Sequence, residues 1–157
     1  MARSIRESGY SVIEVLVAVG LLVVVLGIAL PQYRAERLHI VTAQRVVIAN
    51  LRLARATAIN ESSHTQVNLP SATQMRVAPM VENPAGSGSW QVDLSRALTI
   101  ALPTATQFAS GMVGAVVEFN SRGFVVNLTA PLRIQTEDSF GATRSLQVWP
   151  SGQVNEL

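Results

Sequence analysis

The pattern of hydrophobic and polar positions changes twice along the chain, and its first part is an almost uniform apolar run. From residue 12 to residue 30, Glu14 is the only charged residue. A helix of about 20 residues, rising 1.5 Å per residue, spans roughly 30 Å, which is the hydrocarbon thickness of a bilayer. The many valines do not argue against a helix, because lipid forces backbone groups to pair within the segment. The run therefore predicts a membrane-spanning helix.

Beyond Pro31 the apolar residues recur at three- and four-residue steps, as one buried helix face requires. The apolar positions of this face are Leu38, Val41, Ile48, Leu51 and Ala58. The arginines of the same stretch fall on other positions. Pro31 removes one backbone hydrogen bond, and because the helical pattern resumes directly, we expect it to bend the helix rather than end it. The pattern predicts one long stem that ends between Asn60 and Ser63.

From Thr65 onward the period becomes two, which is typical of half-buried strands. The alternating sets are Val67 and Leu69; Met75 and Val77; Trp90, Val92 and Leu94; Leu98, Ile100 and Leu102; Leu132 and Ile134; and Leu146 and Val148. Two further strands, 115–119 and 124–128, flank a four-residue hairpin connection at 120–123, whose glycine can take a positive φ. Residues 83–89 and 103–112 are predicted loops because they are rich in Pro, Gly and Ser.

About seven or eight short strands predict an α+β fold, in which the amphipathic half of the helix packs on an antiparallel β-sheet head. The length of 157 residues fits one such domain plus the apolar segment. There are no cysteines, so disulfides and thiolate sites are excluded. The net charge of +2 is too small to indicate a polyanionic partner by itself. Arg3 and Arg6 precede the apolar run and favour a cytoplasmic amino terminus, although Arg34 and Arg37 beyond it reduce the asymmetry.

Side chains that could carry catalysis are few. The two histidines, His39 and His64, give a zinc cluster or a histidine-based triad little to work with. Glu137 and Asp138 are adjacent acids, but two carboxylates do not supply the 6–8 oxygens that calcium prefers. The segment GSGSW lacks the ending of a phosphate-binding loop. We therefore expect no cofactor, no metal and no enzymatic activity.

The amino-terminal segment resembles a type IV prepilin signal. It has a short basic leader, MARSIRESG, then an aromatic residue, a small polar residue, two aliphatic residues, a glutamate and the apolar run. The resemblance implies that a prepilin peptidase cleaves between Gly9 and Tyr10 and that the new amino terminus, Tyr10, is methylated. Glu14 becomes the fifth residue, where the family carries its assembly glutamate, and Pro31 the twenty-second, where many members have a helix-bending proline. Tyr10 departs from the phenylalanine that is most frequent in the family.

Two other interpretations of this segment remain open. An ordinary secretory signal could be cleaved near Gly27-Ile28-Ala29, but its apolar core is usually 7–15 residues long. An uncleaved anchor tolerates the length but gives no reason for Glu14. A charge inside a membrane helix costs about 2.5–3.5 kcal/mol on insertion scales.

Three further segments resemble H-type pseudopilins and FimT-type minor pilins, the GspH/FimT group. They are the helix end LRLARATAIN at 51–60 and the head segments FNSRGF and LQVWPSGQV. The resemblance implies a leader at 1–9, a transmembrane half-helix at 10–31, an amphipathic half-helix at 32–62 and a β-rich head at 63–157. It implies a single-pass inner-membrane protein with a periplasmic head, which then joins a pilus or pseudopilus fibre. The implied partners are other pilin subunits, the prepilin peptidase, the inner-membrane assembly platform and membrane lipid.

The resemblance leaves two functions open. The favoured one is a minor pilin or pseudopilin, a structural subunit of a type II secretion pseudopilus or a type IV pilus. The alternative is a DNA-uptake pilin, because some FimT-type pilins bind DNA through arginines of the head. Here Arg122 and Arg144 are the candidates for such contacts. The head arginines are scattered along the sequence, and the terminal SGQVNEL contains none, which makes nucleic acid the weaker alternative.

Overall fold

The computed structural model describes residues 11–157, apart from the side chains of residues 29–38. One long helix, α1, extends from Val12 to Asn60. Its first turn is closed by the Ser11 carbonyl oxygen, which accepts bonds from the backbone nitrogens of Glu14 and Val15 at 2.9 and 3.2 Å. Pro31 lies within this range, but its side chain is outside the described set, so the bend at Pro31 stays a prediction.

The carboxyl end of α1 lies where the sequence predicts it. The Ser63 nitrogen donates to the Ala58 carbonyl and the Ser62 nitrogen to that of Ile59, and Ser62 has a φ of +49°. This is the bonding pattern of a Schellman cap, in which a left-handed residue satisfies the last carbonyls. Serine occupies a position that glycine usually holds.

The chain divides into two compact units, of which the second is Arg37–Leu157. The described residues of this unit contain nine strands and one short 3-10 helix, Leu94–Arg96. The strands are β1 His64–Ser71, β2 Gln74–Glu82, β3 Trp90–Val92, β4 Leu98–Ala101, β5 Thr106–Phe108, β6 Val116–Phe119, β7 Leu132–Asp138, β8 Thr143–Val148 and β9 Val154–Glu156.

The strands form two antiparallel sheets where the sequence analysis expected one. The first sheet has the order β3-β2-β1-β6, with β4 also pairing with β2. The second has the order β5-β7-β8-β9. The antiparallel β-rich head is confirmed.

The helix from His39 onward packs its apolar face into the core of the head. Of the predicted face, Ile48, Leu51 and Ala58 are buried and Val41 is half-buried, whereas Leu38 lies outside the described side chains. The buried residues of the helix also include Ile40, Ala43, Gln44, Val47 and Ala54. The core that they share with both sheets includes Leu69, Met75, Phe108, Phe119, Ile134 and Leu146. Removing this much apolar surface from water is the main favourable contribution to the stability of the head.

One predicted strand does not form. Residues 124–128 make only a single bridge, between Phe119 and Val125. The side chain of Asn127 bonds the β6 backbone instead: its Oδ1 accepts from the Glu118 nitrogen at 3.1 Å, and its Nδ2 donates to the Val116 carbonyl at 2.7 Å. An asparagine amide can replace backbone partners in this way, which ends the ladder.

Two further predictions are corrected. The predicted loop 103–112 contains β5, which pairs with β7 and buries Phe108. Leu94 does not extend β3, because the Asp93 carboxylate accepts from the Ser95 nitrogen at 3.0 Å and caps the 3-10 turn, leaving Leu94 exposed.

Candidate assembly site

The amino-terminal part of α1 presents a continuous apolar surface. Every residue from 12 to 28 is exposed. Leu16 and Leu22, for example, expose 65% and 60% of their surface. A soluble domain rarely leaves such an area uncovered, so a surface of this kind marks a contact with other proteins or with lipid. Within residues 11–28 and 39–157, no helix is both long and apolar enough to cross a membrane.

Glu14 is the only ionisable residue of this surface between residues 11 and 28. It lies in the first turn of α1, where the free N–H groups of the helix favour a negative charge. Ala18 and Leu22 follow it at four-residue steps and share its face of the helix. On this face Glu14 can therefore pair with a cation, while Ala18 and Leu22 pack against an apolar helix. Gly9 and Tyr10, the predicted cleavage and methylation positions, lie outside the described residues.

The three segments that resemble the GspH/FimT group meet at one joint in the second unit. Gly152 lies so close to Gly123 that a Cβ at position 152 would be 1.9 Å from the Gly123 carbonyl oxygen. Arg55 of α1 lies against both glycines, and its Nη2 donates to the Ser151 carbonyl at 3.4 Å. We call this contact of Arg55, Gly123 and Gly152 the glycine joint.

Hydrogen bonds from backbone nitrogens hold the two turns of the glycine joint. The Val125 nitrogen donates to the Pro150 carbonyl at 2.9 Å. The Asn120 side-chain oxygen accepts from the backbone nitrogens of Arg122 and Phe124 at 3.0 and 3.1 Å. Gly123 has a φ of +77°, which confirms the positive φ predicted for this connection. Sequence reasoning identified each segment but not their meeting, since nothing in local periodicity links positions far apart in the chain.

Arg122 and Arg144 lie near opposite ends of β8. Arg144 is the second residue of that strand, whereas Arg122 adjoins Gly123, which contacts the turn that follows Val148. Four steps of about 3.3 Å separate Arg144 from Val148 along the strand, roughly 13 Å. Both arginines are exposed. Their contact with DNA stays a prediction.

The other candidate polar residues have partners within the head. The Nδ1 of His64 lies 2.6 Å from the Glu118 carboxylate, and its ring stacks on Trp90 with centroids 4.2 Å apart. Glu137 accepts from Gln107 at 2.8 Å, whereas Asp138 accepts from the Phe140 and Ala142 nitrogens at 2.9 and 2.8 Å.

The adjacent acids Glu137 and Asp138 therefore point to opposite faces of β7. Among the residues that the structure describes, no group of three His, Cys, Asp or Glu side chains is arranged to hold a metal ion. His39 is exposed on α1.

Comparison with known proteins shows likeness at the level of structure. No protein-family model and no curated protein matches the chain. The type IV minor pilin FimU of Pseudomonas aeruginosa is similar in two crystal forms. One has a TM-score of 0.57 at 15% identity, over 78% of this chain and 90% of FimU; the other has 0.53 at 14%, over 73% and 90%. The minor pseudopilin EpsH of the Vibrio cholerae type 2 secretion system has a TM-score of 0.51 at 15% identity, over 74% of this chain and 94% of EpsH. The chain thus has the fold of a minor pilin and a minor pseudopilin, which confirms the pilin-like fold that its sequence resemblance predicts.

Proposed function

We propose that this protein is a minor pilin or pseudopilin, a structural subunit of a type IV pilus or a type II secretion pseudopilus rather than an enzyme. One observation carries the proposal: an exposed apolar helix surface with a single charge, Glu14, is joined in one chain to a head with the fold of FimU and EpsH. Such a surface is covered by lipid before assembly and by other subunits after it.

The processing and location that we propose follow from the prepilin-like segment. A prepilin peptidase cleaves between Gly9 and Tyr10, and the amine of Tyr10 is methylated. Before assembly the apolar helix spans the inner membrane, with Arg3 and Arg6 on the cytoplasmic side and the head in the periplasm. Assembly at an inner-membrane platform then transfers the helix from lipid to a fibre of pilin subunits.

Glu14 has a specific role in this proposal. An unpaired carboxylate in a membrane helix is costly, and such residues usually have a functional partner. In a helix that continued to the new amino terminus after cleavage, four steps of about 1.5 Å would separate the Tyr10 amine from Glu14 by about 6 Å along the axis. A neighbouring subunit shifted along the fibre axis brings its own amine alongside Glu14 instead, which neutralises both charges in a low dielectric. The pairing favours correctly placed subunits.

The test replaces Glu14 and follows the protein into sheared fibres. We expect Glu14→Ala to insert into the membrane and to be cleaved normally, but to be absent from fibres; Glu14→Asp, which keeps the charge, is the matched control and retains incorporation. Mass spectrometry of the same membrane extracts should show a chain beginning at Tyr10 with a methylated amine. Normal incorporation of Glu14→Ala would contradict the pairing. A chain beginning at Leu30 would instead establish a secretory signal, and an intact Met1 a simple anchor.

A further inference from the structure

The half of α1 that packs on the head leaves its opposite side exposed, and four residues follow the middle of that side. Arg45, Ala49, Arg52 and Ala56 follow at steps of four, three and four residues, and all four are exposed. They lie opposite the buried face that contains Val47 and Leu51. We call these four residues the stem stripe. It is the side of the helix that the head does not cover.

The stem stripe has the spacing and shape of a helix-packing seam. Arg45 and Arg52 are seven positions apart, about 10.5 Å along the axis, and so are Ala49 and Ala56. A period of seven keeps a seam facing a partner helix. The alanines allow the partner backbone to approach closely, while Leu53 and Ile59, which expose 47% and 44% of their surface, border the stripe with apolar contacts.

The charges of the seam select the partner. Residues 37–60 contain four arginines and neither Asp nor Glu. The two ion pairs of the described side chains are His64–Glu118 and Arg96–Glu61, so neither Arg45 nor Arg52 pairs with a described carboxylate. A second copy of this chain, packed in parallel, offers no carboxylate within residues 37–60, and both in register and shifted by seven residues it would place arginine against arginine, which is unfavourable. A partner helix with carboxylates seven residues apart would meet both arginines at once.

We propose that the stem stripe docks a helix of a different fibre subunit, one that carries acidic residues at a seven-residue spacing. The inference rests on the proposed function, since it assumes that this chain is a fibre subunit. It adds that this chain enters the fibre beside an acidic subunit rather than beside itself. The carboxylates of the partner pair with Arg45 and Arg52, and its small or apolar residues pack over Ala49 and Ala56.

The experiment uses the full chain in detergent micelles, and a charge-reversed variant of the same chain serves as the acidic partner. The protein has no cysteine, so Ser87→Cys in an exposed loop gives one labelling position. R45E/R52E presents carboxylates on the same helix geometry. Association is measured by fluorescence energy transfer between labelled chains as the protein concentration is varied. Three mixtures are compared: wild type with itself, R45E/R52E with itself, and wild type with R45E/R52E. Any association through the apolar helix is common to all three.

We expect the mixed pair to associate on the order of tenfold more tightly than either like pair, since it gains two exposed ion pairs. About 1 M salt should abolish the difference. R122E/R144E changes the net charge by the same amount as R45E/R52E. It should associate with wild type no more tightly than wild type associates with itself. Equal affinities in the three mixtures, or tightest association of wild type with itself, would overturn the inference.

A second readout separates this inference from the proposed function. In cells, R45E/R52E should be lost from sheared fibres, whereas R122E/R144E should be retained. If wild type is in the fibres and R45E/R52E enters equally well, the stem stripe has no docking role and the subunit function stands. If wild type is absent from fibres altogether, the proposed function fails first.

Discussion

Gly152 is the position of the glycine joint where one methyl group should cost the most. Gly152→Ala places a Cβ 1.9 Å from the Gly123 carbonyl oxygen, and Cβ contacts under 3.0 Å essentially never occur. The two turns must therefore separate by at least 1.1 Å, the difference between these distances. The atom in the way belongs to the backbone and cannot rotate aside.

Two costs add at this position. Gly152 has a φ of +77°, and a side chain in the left-handed region costs roughly 1–2 kcal/mol. Forcing an extra carbon into a packed contact typically costs about 1–3 kcal/mol more. Separation of the two turns also stretches the hydrogen bond from the Val125 nitrogen to the Pro150 carbonyl. The range of about 1–3 kcal/mol includes the cost of stretching this bond. We expect Gly152→Ala to lower the free energy of unfolding by roughly 2–5 kcal/mol.

The assay is urea unfolding of the full chain in a mild detergent, followed by tryptophan fluorescence. Gly141→Ala is the matched control, because Gly141 has a φ of +83° but no atom within 4 Å of a built Cβ. The control carries the conformational cost alone, about 1–2 kcal/mol. If Gly152→Ala destabilises the head no more than Gly141→Ala does, the close approach of the two turns is not a feature of the folded protein.

Two further predictions concern single side chains of the head. The bonds that Glu82 accepts from the Gly86 and Gly88 nitrogens hold its pKa below the ordinary value of 4.5, so they stabilise the loop at neutral pH and are lost as the pH falls through the lowered pKa. An NMR titration of both glycine amides should show a midpoint below 4.5, and a midpoint at or above it would contradict the assignment. The buried Gln44 donates to the Ser145 carbonyl at 3.1 Å. Because that oxygen also accepts from the backbone at Leu157, Gln44→Met should lower the free energy of unfolding by only about 1 kcal/mol; a loss above about 3 kcal/mol in urea would contradict this.

Local patterns predicted the elements whose signal is continuous. The helix end at Asn60 and the strands around Val67, Val77 and Ile134 follow from periodicity, because each residue of such an element faces either core or solvent in a regular order. β5 was not predicted, because three residues are too few to show alternation and its strand conformation depends on pairing with β7.

The candidate site divides in the same way. The position of Glu14 in a first helical turn can be inferred from the apolar run that surrounds it. The glycine joint cannot, because its partners belong to three segments that only the tertiary fold brings together. The strand predicted at 124–128 was wrong for a different reason. The residues around Asn127 favour a strand, but the Asn127 side chain replaces the backbone partner that the strand needs.

The glycine joint also constrains the order in which the head can mature during synthesis. Arg55 and Ser151 are 96 positions apart, so the contact closes only when nearly the whole chain is available. Contacts of such long separation form slowly, because a large loop must be ordered before they gain anything. Until then Arg55 and Ile59 of α1 lack the turn at Gly123 that lies against them, and this side of the helix is open to chaperones and proteases. The glycine joint can close only after Gly152 has been synthesised. A closed joint therefore distinguishes a subunit whose synthesis has passed this residue from one that is still incomplete there.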